Sequence, residues 1–421
     1  MLLIKNGYLI SPENKIDGVY DILIENGKIK EIKENITADC EIIDATGKYV
    51  LPGIVDMHVH LRDPGFTYKE DIFTGCEAAA AGGVTSVLAM PNTNPAVDNT
   101  ETVKYIIDKA KSAKAKVYPV ACITKGLNGE VLTDMKALKK AGAVAVSDDG
   151  RPVKNAKMML DGLKSAFDNS LLAISHCEDL DLIDGGIIHK GEVSETLGVK
   201  GMTRASEDSI TAREIALADS ENLPIHIAHV STKGSVEIIR DAKKRGIKVT
   251  CETCPHYFIF DHTKLLKKDA DYRMNPPLRE DFDIKAVTEG IIDRTIDCIV
   301  TDHAPHAKEE KSDFLKAPNG VVGLETSFSA SYTHLVATKK ITLSHLVELM
   351  SVNPAKLLNI EGGVLKEGAA ADICIADLDR EWTVDPEKLH SKSKNSVFKD
   401  VKLKSKIICT ILNGTITYKE D

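Results

Sequence analysis

The feature that most constrains the fold is an alternation of short apolar runs with helical patterns through the middle of the chain. The apolar runs lie at 53–59, 83–90, 116–123, 143–147, 171–176, 224–230, 247–252 and 296–301. Helical patterns follow most of them, as at 100–113 and 233–246. This order is typical of parallel strands joined by helices. It predicts an α/β fold, a (β/α)8 TIM-like barrel over 53–360. A doubly wound open sheet is the alternative, which the lack of a Gly-x-Gly-x-x-Gly after the first run disfavours.

The two ends of the chain have a different pattern, which alternates with the period of strands. Each end carries an Asn-Gly pair between strand-like segments, at Asn26-Gly27 and at Asn413-Gly414. Such pairs are strong signals of tight hairpins. We therefore expect residues 1–52 and 361–421 to form one small flanking β-domain.

Composition limits the class of protein. The chain has 421 residues, of which 43% are hydrophobic and 28% charged, with a net charge of −9. These values indicate a globular protein and give no electrostatic basis for binding nucleic acid or an anionic membrane. The N-terminal segment has no signal-peptide pattern, and the odd number of scattered cysteines, nine, is typical of buried thiols in a reducing compartment. We expect a cytoplasmic protein. The CxxC at Cys251 and Cys254 is interpreted as core packing, with a structural zinc site as the alternative.

Polar side chains gather where the predicted strands end. Seven of the eight runs end in segments with His, Asp or Asn, and these segments are DMHVHLR, MPNTNP, SDDG, SHCED, HIAHVST, CETCPHY and TDHAPH. Since the carboxyl ends of barrel strands meet at one face, these groups should converge there.

The first run, at 53–59, carries polar residues that indicate a metal site. Asp56, His58 and His60 occupy every second position, so they share one face of a strand. Paired histidines with carboxylates from other strands suit Zn²⁺. We expect Asp56 to support the histidines rather than to bind metal. His226 and His229 fall on opposite faces of their strand, so at most one of them faces a metal. An isolated HxH is more often an ordinary polar pair, and the coincidence of the strand ends is what favours a metal site.

These motifs together resemble a known group. PGIVDMHVHLRDPG, AAAAGGVTSVLAMPNTNP, SDDG, SHCED, HVST, MNPPLR, DHAPH and GLET follow one another as in the amidohydrolase superfamily. Within it, the chain is similar to the dihydroorotases of the long bacterial and archaeal type (class I). The resemblance covers nearly the whole chain, and it implies a flanking domain built from both termini.

The resemblance also implies a site for two Zn²⁺ ions. His58 and His60 would bind the more buried ion, and His176 and His229 the more exposed one. Strand four has no lysine to serve as the carbamylated bridge of many superfamily members, since Lys154 lies several residues beyond it. The bridge would instead be an aspartate, and the family spacing selects Asp149 over Asp148. Asp302 would ligate the buried ion and act as general base and then general acid.

The implied reaction is the reversible, zinc-dependent cyclisation of N-carbamoyl-L-aspartate to L-dihydroorotate in pyrimidine (UMP) synthesis, with a metal-bridging hydroxide in the ring-opening direction. The substrate would be held by His60 and by further residues that match the family's contacts, namely Arg62, Asn92, Asn275, His306 and the backbone of Asn319 and Gly320. Arg62 can pair with the exocyclic carboxylate through parallel hydrogen bonds. The charged segment 303–320 is interpreted as a loop that closes over substrate.

Two other functions compete with this interpretation. One is a hydantoinase or allantoinase, which acts on rings that have no carboxylate for Arg62. The other is a non-catalytic partner of aspartate transcarbamoylase, which the intact set of candidate ligands disfavours. The sequence leaves open whether the chain forms a homo-oligomer or a complex with aspartate transcarbamoylase.

Overall fold

The computed structural model describes residues 1–420, and its central feature is a barrel of eight parallel strands. The strands are Ile54–Val59, Val84–Ala89, Lys116–Ala121, Ala145–Val146, Leu172–Ser175, Ile225–Ile227, Val249–Thr253 and Cys298–Ile299. They are hydrogen-bonded in chain order. An isolated parallel bridge between His303 and Val59 connects the segment after the eighth strand to the first strand. All eight predicted runs are strands, so the predicted barrel is confirmed.

Helices surround the barrel and connect its strands. They are Ile72–Ala81, Thr100–Ala110, Met135–Ala141, Ala156–Asp168, Ala205–Ser220, Lys233–Lys244, Asp281–Ile292, Ser327–Ser331, Leu343–Val347 and Asn353–Leu358, with π-helical turns at Tyr332–Val336 and Glu348–Val352. Shorter helices lie in the loops at Leu180–Ile183, Glu192–Leu197 and Pro255–Ile259. Several helices begin at a side chain that accepts from the first turn, as Asn99 and Thr232 do, which is the usual cap.

Two of these helices lack a clear helical pattern in the sequence, Ile72–Ala81 and Asp281–Ile292. The first is rich in alanine and buried on several sides, because it packs against a barrel strand and against the strands of the terminal sheet. A helix buried on more than one side has no polar face, so its sequence shows weak periodicity.

The second large sheet is built from both ends of the chain. Its order is Thr415–Lys419, Lys402–Leu412, Ile373–Thr383, Tyr49–Pro52, Leu2–Ser11, Ile16–Glu25 and Lys28–Lys33, and Glu41–Asp44 pairs with Leu2–Ser11. Both Asn-Gly pairs form the predicted hairpin turns, with left-handed backbone at each residue. The Thr410 hydroxyl donates to the carbonyl of Ala80 at 2.7 Å, which joins this sheet to the barrel's first helix.

The apolar core forms two main layers in the barrel. One cluster joins strand residues to helix residues, for example Val87 and Ile225 to Ile106 and Ile239. The other takes side chains from around the barrel, namely Val55, Leu88, Val120, Ala145, Ile174, Ala228, Cys254 and Val300, as expected of a filled barrel interior. Cys251 lies in the first cluster and Cys254 in the second, so the CxxC packs in the core, as predicted.

Within residues 1–420, no helix is both long enough and apolar enough to span a membrane.

Candidate metal centre and substrate cavity

Six candidate ligands meet at the carboxyl ends of the barrel strands. His58 lies near the end of the first strand and His60 directly follows it. Asp149, His176, His229 and Asp302 each come one to three residues after the fourth, fifth, sixth and eighth strands. All six are buried. Five of them, all but His58, line one cavity of about 210 Å³. Residues separated by more than 240 positions in the sequence thus meet because the carboxyl ends of all barrel strands lie at one face.

Asp149 lies at the centre of this cluster. Its Oδ1 is 3.3 Å from His58 Nε2, 3.3 Å from His176 Nδ1 and 3.6 Å from His229 Nε2. Its Oδ2 is 3.5 Å from His60 Nε2. One carboxylate thus contacts His58 and His60 from the first strand and also His176 and His229 from the fifth and sixth. This is the geometry of a bridging ligand.

Asp148 faces the other way. Its carboxylate accepts from the backbone N–H groups of Ile123 and Thr124 at 2.8 and 3.1 Å, and from the Thr124 hydroxyl. Burial raises its pKa to about 6, although those hydrogen bonds oppose the rise. Asp148 therefore anchors the loop after the third strand and does not face the histidines.

Asp302 closes the cluster on the side of the first strand. Its Oδ1 is 3.0 Å from His60 Nε2 and 3.7 Å from His58 Nε2. Donor atoms from His58, His60 and Asp302 lie within 4.8 Å of one another, and so do those from His58, Asp149 and His229. The two groups share His58, and each offers imidazole nitrogen and carboxylate oxygen, the donors that suit Zn²⁺.

Three of the imidazoles are held from outside by a second side chain. Glu252 Oε1 lies 2.6 Å from His58 Nδ1, Asn92 Oδ1 lies 2.8 Å from His60 Nδ1, and Glu178 Oε2 lies 3.2 Å from His176 Nε2. Each outer partner is an acceptor, so the ring proton stays outside and the inner nitrogen offers a lone pair. This is the arrangement of metal-binding histidines.

The ligand atoms at the centre of the cluster are also suited to bind a cation. His58 Nε2 and Asp149 Oδ1 are buried and have no hydrogen-bond partner among the described residues. A buried polar atom without a partner is costly unless something else satisfies it. A divalent cation held by these atoms would do so.

The acidic members of the cluster are ionised. Burial raises the pKa of Asp149, but the imidazoles of His58, His176 and His229 beside its carboxylate outweigh burial and hold the pKa well below its ordinary value. The same balance lowers the pKa of Glu252 to about 2, chiefly through His58 and His226.

Glu252 is the residue that sequence analysis missed. It lies inside the seventh strand, fully buried, and its second oxygen is 3.2 Å from His226 Nε2. Asp56, which was expected to support the histidines, accepts from the backbone N–H of His58 and of Thr301, both at 3.2 Å. An acidic side chain within a buried strand needs a charged partner, and that was the available signal for Glu252.

Three residues at the site adopt left-handed backbone conformations that are uncommon outside glycine. They are Arg62 at φ 61°, His229 at φ 31° and Asp302 at φ 46°. Such conformations are retained where the surrounding structure enforces them, and they are concentrated at functional sites.

The predicted substrate residues line the same cavity. They are Arg62, Asn92, Asn275, His306, Asn319 and Gly320, together with His60. Arg62 donates from Nε to the Pro305 carbonyl at 3.1 Å. Among residues 1–420, no carboxylate forms an ion pair with Arg62. Burial lowers its pKa to about 10, while the charges of Asp302 and Asp149 oppose the shift, so the guanidinium is charged at neutral pH.

Two asparagines have roles beyond those expected. The Asn92 side chain holds His60, as described, and its Nδ2 lies 3.5 Å from Asp149 Oδ2. Asn275 contacts Glu178 through its side chain, and its buried Oδ1 has no partner among the described residues. Both asparagines thus touch the groups that hold the imidazoles and also face the cavity.

Gly320 forms part of the cavity wall with its backbone already bonded. Its N–H donates to the Arg273 carbonyl at 3.0 Å, and its carbonyl accepts from Lys311 Nζ and Asn395 Nδ2. A Cβ here would lie 2.6 Å from the Ala304 carbonyl oxygen, and φ is +143°. Only glycine fits this close approach.

The segment 303–320 packs over one side of the cavity. Lys311 is buried, and its ammonium donates to the carbonyls of Arg273, Pro318 and Gly320 at 3.0–3.2 Å. Glu310 pairs with Lys69 at 2.8 Å and accepts from the Tyr68 hydroxyl at 3.3 Å. The segment is therefore fixed from within by Lys311 and from the opposite loop by Lys69.

Comparison with known proteins gives consistent results. A family model for dihydro-orotase-like proteins matches residues 47–235, and one for an amidohydrolase family matches 315–418. The dihydroorotase of Acetivibrio thermocellus is 50% identical over 422 aligned residues, which cover 100% of this chain and 99% of that one. The dihydroorotase of Geobacter metallireducens is 51% identical, with 99% of each chain covered.

Among solved structures, similarity extends to hydantoinases. The L-hydantoinase of Arthrobacter aurescens matches with a TM-score of 0.90 and 25% identity, over 99% of this chain and 96% of that one. The dihydropyrimidinase of Brevibacillus agri matches with a TM-score of 0.88 and 26% identity, over 99% and 95% of the two chains.

Proposed function

Since this chain belongs to the dihydroorotase family of amidohydrolases, we propose that it interconverts N-carbamoyl-L-aspartate and L-dihydroorotate through the cluster and cavity described above. It is a hydrolase of cyclic amide C–N bonds. The reaction is a step of pyrimidine (UMP) synthesis, which runs in the ring-closing direction.

The observation that carries the proposal is Arg62. A guanidinium that faces a cavity without an acidic partner is suited to bind an anionic ligand. Dihydroorotate has an exocyclic carboxylate, and hydantoin and allantoin do not. The same cavity contains the candidate metal ligands, so a carboxylate bound by Arg62 would place its ring beside them.

The amidohydrolase family is metal-dependent, and the His and Asp groups of this chain could bind metal. We propose two Zn²⁺ ions, one held by His58, His60 and Asp302 and one by His176 and His229, with Asp149 shared between them. When bound, such ions lower the pKa of a shared water and polarise the carbonyl that is attacked.

The residues of the chain then account for the rest of the reaction. Asp302 would take the proton of the attacking water and deliver it to the leaving ring nitrogen, as general base and then general acid. Its contact with His60 and the nearby imidazole of His58 hold its pKa below the ordinary value despite burial, so it begins as the ionised base. Arg62, His306 and the asparagines would fix the carboxylate end of the substrate.

A comparison of substrates tests this proposal. Zinc-loaded protein should turn over L-dihydroorotate and neither hydantoin nor allantoin, and a chelator should abolish the activity. Arg62→Ala should lose roughly 10²-fold or more in kcat/KM for dihydroorotate, because an unpaired carboxylate would be buried. Turnover of the neutral rings would favour a hydantoinase, and no turnover of any ring would favour a non-catalytic partner.

We also propose a cell compartment and two candidate assemblies. Nine free cysteines, eight of them buried, support a reducing compartment, and we propose the cytoplasm. For assembly, the candidates are a homo-oligomer and a complex with aspartate transcarbamoylase. Light scattering of the protein alone and mixed with that enzyme distinguishes them.

A further inference from the structure

Lys69 occupies an unusual position next to the substrate cavity. It lies in the loop between the first barrel strand and the first helix, and its side chain is 13% exposed. Its Nζ is 3.3 Å from His306 Nδ1 and 2.8 Å from Glu310 Oε1. Its backbone is fixed, because its N–H donates to Phe66 and its carbonyl accepts from the Ser393 hydroxyl at 2.7 Å.

The hydrogen-bond pattern at His306 follows from these contacts. An ammonium group only donates, so Nδ1 of His306 is the acceptor for Lys69. A neutral ring then carries its proton on Nε2, which lies 2.9 Å from the Asn319 carbonyl oxygen. Arg62 Nη2 is 3.4 Å from the same nitrogen. The ring proton is therefore on the side of Arg62 and Asn319, which line the cavity.

Glu310 would favour a different arrangement if it were alone. Its Oε2 is 3.6 Å from His306 Nδ1, and a carboxylate at that distance favours a proton on the ring nitrogen that faces it. Lys69 lies beside the same nitrogen and also pairs with Glu310, so it opposes this effect in two ways.

We propose that Lys69 is a positioning residue for the substrate site, which keeps His306 neutral with its Nε2–H donated to the Asn319 carbonyl, on the side of the carboxylate position beside Arg62. The proposal rests on the proposed function, in that His306 is taken to face the substrate carboxylate. Four charged groups face His306, namely Arg62, Lys69, Glu310 and Lys311. Burial lowers the pKa of His306 to about 2, and the three cations reinforce that effect.

The first test observes the ring itself, without substrate. Ring nitrogen NMR of wild-type protein, with the signal assigned by loss in His306→Asn, should show a neutral Nε2–H ring between about pH 5 and 9. In Lys69→Met, and in the shorter Lys69→Gln, Glu310 loses its cationic partner, so the His306 ring should carry a proton on Nδ1, the nitrogen that faces Glu310. Lys69→Met combined with Glu310→Gln should restore the ring with its proton on Nε2 only. Lys308→Met, an exposed lysine of the same segment, is the charge-matched control and should behave as wild type.

The second test is kinetic. Lys69→Met should raise KM for dihydroorotate about tenfold and leave kcat within about twofold, because the metal cluster is unchanged. The double variant should recover KM. A ring that keeps its proton on Nε2 only in both Lys69 variants, or a KM that does not change, would overturn the proposal. If wild-type protein fails to turn over dihydroorotate, the proposed function fails, whereas the NMR result on Lys69 stands by itself.

Discussion

Asp148 and Asp149 are neighbours in the chain, and their side chains do different things. The fourth strand ends just before them, so consecutive side chains leave it in opposite directions. Asp149 contacts the imidazoles on one side, and Asp148 accepts backbone N–H groups on the other. One residue is placed to bind metal and the other to hold a loop.

Substitution of these two aspartates should separate the roles. Asp149→Asn removes a charge from the centre of the cluster, so we expect loss of bound metal and at least about 10²-fold loss of activity. Asp148→Asn keeps one carbonyl oxygen for the loop, so metal content should persist and stability should fall by about 1–3 kcal/mol. Metal analysis and denaturant unfolding of both proteins measure this. Equal metal loss, or the reverse order, would contradict the assignment.

Glu252 should matter through His58 rather than through the substrate. Glu252→Gln keeps the shape of the side chain but weakens its hold on His58 Nδ1, so the zinc dissociation constant should increase about 10–100-fold. Zinc titration of chelated protein measures this without an activity assay. Glu237→Gln, on an exposed helix face, provides the control. An unchanged zinc affinity would show that Glu252 serves only to compensate buried charge.

At the scale of elements, segment 303–320 is the part of the fold most directly connected to ligand binding. Trypsin cleaves after lysine, and Lys308 and Lys316 are exposed in this segment. If the segment closes over substrate, bound dihydroorotate should slow cleavage at these two residues, while cleavage at the exposed Lys268 stays constant. Equal rates with and without ligand would exclude closure.

Lys311 gives the same segment a dependence on pH. Burial lowers its pKa to about 7, against an ordinary value of roughly 10.4 in the unfolded chain. Between these values the unfolded chain binds a proton that the folded protein does not, so the free energy of unfolding should rise with pH. Relative to Lys311→Met, the wild type should gain about 2 kcal/mol between about pH 7.5 and 9.

Denaturant unfolding of both proteins at these two pH values gives the difference directly. The variant is the reference because it has no titrating group at position 311 and shares every other ionisable residue. A constant difference would mean that the three backbone carbonyls keep the ammonium charged when buried.

The barrel elements were predictable because their signals are local. Runs such as 83–90 and 224–230 are apolar in the sequence and are strands in the structure. The helix Ile72–Ala81 was not predictable, because it is buried against both sheets and its periodicity is weak. The domain division at 52/53 and 360/361 stays a prediction. At the first of these boundaries, a strand of the terminal sheet ends at Pro52 and the first barrel strand begins at Ile54.

At the scale of the whole molecule, the candidate metal ligands could be predicted from the sequence. The residues that position the histidines of the site could not. His58, His60 and Asp302 follow from strand ends and from a family resemblance. Glu252 and Lys69 act through contacts between distant parts of the chain, His58 with Glu252 and Lys69 with His306 and Glu310. Such pairs depend on how the barrel closes, and neither has a spacing rule in the sequence.

The central claim is that one cavity binds two metal ions and an anionic ring substrate through Arg62. The most direct measurement is a crystal structure of zinc-loaded protein with dihydroorotate, with diffraction recorded at the zinc absorption edge. The account predicts two anomalous peaks, one on each side of the Asp149 carboxylate, and the ligand carboxylate bound to Arg62. A single peak away from Asp149, or a carboxylate that does not touch Arg62, would contradict it.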